Sequence, residues 1–535
     1  MRFGIRRQAR ASVPSDPDTP EPPAAAVEAT TGEAVATAGD PASAGGLPVG
    51  VARRRVLLST SSVMTSTAII AALGAVSLAV MTKRLGPTRY GEFVIALTFF
   101  STATLITDLG VNALTGREIA RTPERAREIL GHTLGLRVSL SVLVIPIVAV
   151  IAHFAYAASG STIFVCVVIA SLAIPFDALR SVALSYFVAG IRNHVGATLA
   201  VLQQVLFVGG VVAVLWLGGG VVLCVTAYLV STAISSICAY VWVIREVPFR
   251  PRFRVEQWRG IIAGSIGIGV IQLVNLLYLK ADTLILSVMT TSAQVGIYGV
   301  AYAIVSFYGA FASITMTSLL PILTRSSDEE LGGLVIRTVR HLMTISVMLA
   351  MLTWCFAPLA IRLVAGPKYA TAYLPLAILA TAMVLTYLHV ALGVASVARN
   401  RHQRIVFVSL ACLVLNVVGN VLVIPRWGIN GSATVTLISE VVALLGVAYV
   451  FQHDVGPSIP WPAILPKPLL IGATLTVLFY FPLHSTTKGI VLTGVLATCQ
   501  VVVYLGCLLA IRGLPDDYAN ALRQLRRRVA TARAR

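Results

Sequence analysis

Charge is what this 535-residue chain has least of: Asp, Glu, Lys and Arg make up only 12% of it, against 57% hydrophobic residues. That leaves too little polar surface to solvate a globular body of this size, which argues against a soluble enzyme. Cysteine is scarce too. Cys166, Cys224, Cys238, Cys355, Cys412, Cys499 and Cys507 all fall in apolar runs without paired spacing. They read as small buried hydrophobes, not as a disulfide framework or thiolate metal centre. No His cluster has metal spacing, and no phosphate-cradling Gly-rich loop with a Lys occurs, so ATP hydrolysis by this chain is not indicated. No cofactor is called for. The first 52 residues lack the apolar core of a secretory signal. Rich in Ala, Pro, Thr and acids, they read as a disordered cytoplasmic tail.

What the chain does have is length after length of apolar sequence. A helix needs about 20 mostly apolar residues to cross hydrocarbon. About fourteen such stretches fill the chain: 56–80, 92–114, 132–156, 161–189, 195–217, 220–244 and 260–287, then 295–320, 336–363, 371–397, 404–424, 430–452, 464–483 and 489–511. Backbone amides in lipid must be satisfied within their own segment, so the reading is an all-α polytopic membrane protein. The +19 net charge is unevenly placed. Loops and helix ends on one side carry 28 Lys and Arg, and those on the other carry 7. By the positive-inside rule both termini are cytoplasmic, and the basic tail 512–535 suits anionic headgroups better than nucleic acid.

Three loop matches recur at nearly one offset. Arg89-Tyr90-Gly91-Glu92-Phe93 aligns with Gln294-Val295-Gly296-Ile297-Tyr298, Arg192-Asn193 with Arg399-Asn400, and Gly218 with Gly428. Six spans followed by six in the same orientation form a parallel repeat. Transporters built this way hold substrate between their halves. The expected organisation is a six-helix lobe over 53–250, a second over 251–453, and two further helices over 454–511.

Ionisable and amide side chains inside spans are the candidate site, because burying them in lipid is costly. At about 100° per residue, Gln272, Asn275 and Asp282 share an arc of about 80° on span seven, with Lys280 about 160° from Asp282. Lys280 is either structural or a contact for an anionic head group. Asp108 and Asn112 lie four apart near the end of span two, where Asp108 either caps backbone or carries a coupling ion. Asp177 and Arg180 follow Pro175, which should kink span four. They form an intrahelical pair, or Arg180 turns its planar fork to a pyrophosphate. Asn416 and Asn420 hydrogen-bond sugar hydroxyls or another helix. Glu440 has no basic residue near it in sequence, which suits a proton carrier. Gln203 and Gln204 read as helix–helix contacts, and Arg117–Leu130 as a short interfacial helix.

Several segments together carry a family resemblance. They are Leu85-Gly86-Pro87-Thr88-Arg89-Tyr90-Gly91-Glu92-Phe93, then Lys280-Ala281-Asp282-Thr283-Leu284-Ile285-Leu286 with Val295-Gly296-Ile297-Tyr298, and Asn416-Val417-Val418-Gly419-Asn420 leading to Ile424-Pro425-Arg426-Trp427-Gly428. Over residues 55–511 the chain resembles the O-antigen and exopolysaccharide flippases of the multidrug/oligosaccharidyl-lipid/polysaccharide exporter (MOP) superfamily. The resemblance implies two six-helix lobes around a central hydrated cavity. It also implies transfer of a polyprenyl-pyrophosphate-linked oligosaccharide from the inner to the outer leaflet of a bacterial plasma membrane. A polysaccharide polymerase and glycosyltransferases would be its partners. The alternatives are a cation-coupled multidrug exporter, a lipid II flippase, or, from another class, a membrane-embedded glycosyltransferase or polymerase. No Arg lies within spans one and two, which disfavours the lipid II reading. The short outer loops carry no paired carboxylates, which disfavours the enzyme.

Overall fold

A backbone inside hydrocarbon closes its own hydrogen bonds, and the computed structural model of this chain does so with helices. It describes residues 49–157, 161–399, 402–455, 459–484 and 490–510, and no strand occurs among them. Most of the expected N-terminal tail, residues 1–48, and the basic tail 512–535 lie outside these ranges. The helices are α1 Val49–Asp108, α2 Val111–Arg121, α3 Ala126–Ala155, α4 Ser161–Ser171, α5 Ile174–Ala189, α6 Asn193–Trp216, α7 Val221–Glu246 and α8 Val255–Met289. They continue with α9 Ser292–Arg325, α10 Asp328–Val364, α11 Tyr373–Val397, α12 His402–Asp454, α13 Trp461–Ile464, α14 Pro466–His484 and α15 Ile490–Ala510.

Among the described residues, eleven helical stretches are long and apolar enough to cross a membrane. Two of them are far too long for one crossing: α1 runs 60 residues and α12 runs 53. Each breaks at a glycine with non-helical dihedrals, Gly86 (φ 74°) in α1 and Gly428 (φ 52°) in α12, so each holds two crossings. Large apolar side chains such as Phe154, Trp216 and Leu217 point outward, the reverse of a water-soluble surface. The chain is an all-α, multi-pass membrane protein. Of the cysteines, Cys166, Cys224, Cys355 and Cys412 are buried, but Cys238, Cys499 and Cys507 are exposed. These three correct the buried reading, since an apolar thiol is as well placed on a lipid-facing surface as in a core.

Local sequence explains the irregularities. Pro175 sits in the first turn of α5, and the helix breaks just before it, between Ser171 and Ile174. The interfacial segment resolves into α2 and a 3-10 turn over Pro123–Arg125, while 126–130 opens α3. Pro462 and Pro466 divide span thirteen into the single turn of α13 and the longer α14.

The loops that match in sequence also match in shape. Gly218 and Gly428 both adopt positive φ, 79° and 52°, where a Cβ is disfavoured. Arg192 pairs with Glu246 at 2.6 Å, tying the start of α6 to the end of α7. Arg404 pairs with Asp454, also at 2.6 Å, closing the two crossings of α12 in the same way. Arg404 is therefore the counterpart of Arg192 in this contact, and Arg399 instead donates to the Ser326 carbonyl at 2.7 Å.

Candidate translocation site

The part of α1 from Pro87 to Asp108, which holds span two up to its break at Leu109–Gly110, meets the second half of the chain at both of its ends. At its start Gly91 packs onto Ser292 and Gly296 of α9. A Cβ on Gly91 would lie 2.9 Å from the Gly296 amide nitrogen, and one on Gly296 would lie 2.9 Å from that of Gly91. These are the two glycines that the sequence repeat makes equivalent, and they meet backbone to backbone. At the far end Leu109 and Gly110 are both left-handed (φ 45° and 76°). That turn seats Gly110 against α8, where a Cβ would come 2.7 Å from the Gly269 nitrogen and 2.9 Å from the Ser265 carbonyl oxygen. The 19 residues from Gly91 to Gly110 span about 29 Å of helix, the thickness of the hydrocarbon core. The first half of the chain thus touches the second at two points about one hydrocarbon thickness apart.

A buried charge cluster stands beside the second contact. Asp108 accepts from the Asn112 backbone N–H at 3.2 Å, capping α2, and pairs with Arg137 of α3 at 3.4 Å. Arg137 has no solvent exposure and also donates to Ser181 of α5. One turn earlier, Asp177 holds Arg180 at 2.7 Å, the intrahelical pair the spacing allowed. Two arginines and two aspartates cancel, and the network braces α1, α3 and α5. In the sequence Arg137 counts among the charges of loops and helix ends, within the run 132–156, and here it is buried inside α3. Its only signal was a position five residues into the apolar run that starts at His132.

In the second half, Glu440 of α12 is not partnerless. Tyr278 of α8 donates to it at 2.8 Å, and His389 Nδ1 of α11 lies 2.9 Å away. Both partners come from other helices, which proximity in sequence cannot reveal. One turn beyond Tyr278, Asp282 accepts from Tyr298 of α9 at 2.5 Å and from the Thr283 N–H at 2.6 Å. Lys280 points elsewhere, its Nζ 5.5 Å from the centre of the Tyr302 ring, as the helical geometry required. Asn275 donates to its own helix at Ile271, while Gln272 keeps a buried Oε1 without a hydrogen-bond partner. Asn416 and Asn420 are buried and bonded to each other at 3.0 Å, so in this conformation neither amide faces a ligand. Gln203 donates to Thr232 of α7 at 3.0 Å, a helix–helix contact.

Two apolar cavities are present. One of about 470 Å³ lies between α10, α11 and α14, against Trp354 and Tyr480, and one of about 570 Å³ lies along α12. No candidate residue lines either, and neither is the hydrated central cavity that the family resemblance implies. Backbone contact at both ends of the 87–108 segment leaves no gap between it and α9 at Gly91 or between it and α8 at Gly110.

A family model described as "Polysaccharide biosynthesis protein" matches residues 56–327. No curated protein matches the chain. Among solved structures the fold is similar to that of the lipid II flippase MurJ in an inward closed conformation, with a TM-score of 0.68 at 12% identity over 84% of this chain and 98% of that one. It is also similar to an inward-facing multidrug resistance transporter of the MATE family of the MOP superfamily (TM-score 0.59, 14% identity, 72% and 96% covered). A MOP superfamily transporter from Pyrococcus furiosus is a further match (TM-score 0.54, 13% identity, 78% and 96% covered). At these identities the likeness is one of fold.

Proposed function

Because this chain belongs to the polysaccharide biosynthesis protein family and has the fold of MOP superfamily transporters, we propose that it is a flippase for a polyprenyl-pyrophosphate-linked oligosaccharide. The observation that carries the reading is the pair of backbone contacts at the two ends of span two, a bilayer thickness apart. A body that can part at either contact in turn opens to one leaflet at a time. The lobes are residues 53–250 and 251–453, with 454–511 as an appendage, and they move as rigid bodies. The excess of Lys and Arg at the Gly110 end makes that end cytoplasmic, with both termini inside a bacterial plasma membrane. The Gly91 end faces outward.

The sugar-pyrophosphate head group enters the gap while the polyprenyl tail stays in lipid. Taking sugar and phosphate out of water without partners costs several kcal/mol per group, so the opened gap must offer donors. Arg180, Lys280 and Gln272 supply charge and hydrogen bonds. Arg180, held by Asp177, and Asn275, Asn416 and Asn420 must give up their present bonds to contribute. Asp108, Asp282 and Glu440 are the groups through which a proton or Na⁺ gradient biases the cycle. A polymerase and glycosyltransferases stand on either side of the step.

The test is reconstitution into sealed vesicles with the lipid-linked oligosaccharide in the inner leaflet only. Appearance of the glycan to an added glycosidase, dependent on active protein, is the expected result. A glycan that stays protected while the protein is folded and correctly inserted refutes the proposal.

A further inference from the structure

The segment joining the two halves, Val247–Arg254 between α7 and α8, has features that its role as a connector does not require. It is extended, and its backbone is locked onto α3. The Arg252 N–H donates to the Gly131 carbonyl at 2.9 Å, and a Cβ on Gly131 would come 2.8 Å from the Arg250 carbonyl oxygen. Gly135 likewise leaves room for the Arg252 backbone alone. Phe249 is buried under Tyr240, whose hydroxyl donates to the Phe249 carbonyl at 3.2 Å.

On this rigid backbone the side chains alternate. Arg250, Arg252 and Arg254 are exposed, as is Arg259 just beyond, and none of them has an ion-pair partner among the described residues. Between and beside them Phe253 is 61% exposed and Val255 is 64% exposed. Glu246, the acid at one end, is already held by Arg192, and Glu128 of α3, within electrostatic reach of Arg252, is already held by Arg125 at 3.2 Å, which leaves Glu256 as the only other acid in the stretch. The strip joins α7 and α8, both long and apolar enough to cross a membrane, and a connector between two crossings falls at the headgroups. Arginine at that depth pairs with phosphate, and an aromatic ring beside it seats in the acyl boundary.

We infer that this connector is a docking strip for anionic phospholipid headgroups of the inner leaflet, with Phe253 as the apolar anchor. Free arginines alternating with a bare aromatic on a pinned backbone complement a negatively charged interface, not water or a neutral surface. The inner-leaflet assignment rests on the orientation proposed above, whereas the preference for anionic lipid does not. α8 carries Ser265 and Gly269 of the Gly110 contact, so lipid held at its start braces the joint between the halves.

The experiment uses the full-length protein and native mass spectrometry with titrated phosphatidylglycerol or phosphatidylcholine. The wild type retains phosphatidylglycerol in preference to phosphatidylcholine. The triple variant Arg250→Gln/Arg252→Gln/Arg254→Gln loses apparent affinity for it by roughly fivefold per arginine. Phe253→Ser weakens both lipids alike. Lys83→Gln/Arg84→Gln, on the opposite face, changes neither. An unchanged melting temperature of the triple variant separates lost binding from lost fold. If the triple variant, still folded, keeps the wild-type preference, the inference is wrong. If soluble inorganic pyrophosphate displaces the bound phosphatidylglycerol, the strip serves the transported lipid's head group and the phospholipid assignment is overturned.

Discussion

Adding one methyl group at Gly91 tests the idea that the Gly91–Gly296 contact is a closure that must form and part. In Gly91→Ala the new carbon meets backbone on two sides, the Ser292 carbonyl and the Gly296 amide nitrogen at 2.9 Å. Backbone cannot rotate away as a side chain does, so α1 and α9 must separate for the contact to fit. Overpacking of this kind costs about 1–3 kcal/mol. At about 2 kcal/mol, the ratio of closed to open at this end falls roughly thirtyfold. The readout is short-linker crosslinking of Arg89→Cys to Gln294→Cys, both exposed beside the contact, in a cysteine-free background. The pair crosslinks readily in the parent and many times more slowly with Gly91→Ala. Gly296→Ala gives the same effect, and the double alanine variant less than the sum, because both residues serve one contact. Gly209→Ala, where a Cβ meets nothing within 4 Å, is the control. Equal crosslinking in Gly91→Ala and the parent, at equal folded protein, refutes the closure.

Arg137→Met leaves Asp108 buried without its cation and should destabilise the protein by about 3–5 kcal/mol, most of it recovered in Arg137→Met/Asp108→Asn. Thermal melting of the purified proteins decides it, and a single variant that melts like wild type removes the brace. Arg180→Ala should abolish surface polymer at equal expression, and Arg180→Lys should restore only part, since a point charge cannot make a bidentate contact. Normal polymer in both variants rules out phosphate recognition by Arg180. In proteoliposomes Glu440→Gln should flip substrate without responding to an imposed pH gradient. A wild-type response in that variant rules out a proton role for Glu440.

The helices were legible because hydrocarbon permits few alternatives: twenty apolar residues in a row leave the backbone no solution but its own hydrogen bonds. Breaks were legible where Pro or Gly forces them, as at Pro175 and Gly428. The aligned glycines were visible as a repeat, but a repeat does not say that its copies touch. That took the packing of α1 on α9. Pairings between helices were illegible for the same reason. Asp177 with Arg180 could be read because three residues is one helical turn, whereas Glu440 with His389 and Asp108 with Arg137 are joined only by the fold. Arg137, near the start of the run 132–156, reads as a helix-end charge, and nothing local says that it is buried. Its burial depends on Asp108 and Ser181, which sit on other helices.

The two polar clusters differ in a way that assigns them different work. Asp108, Arg137, Asp177 and Arg180 form matched opposite charges, and guanidinium does not titrate in the physiological range. Such a group holds helices in register, and its position beside the left-handed Leu109–Gly110 turn puts that rigidity at the contact with α8. The second cluster sets His389 2.9 Å from Glu440, a contact between α11 and α12. Its members come from α8, α11 and α12, and one turn along α8 from Tyr278 the Tyr298 hydroxyl of α9 serves Asp282. These contacts join the helices that carry both seams of the second half: α8 with Gly269, and, through Tyr298, α9 with Gly296.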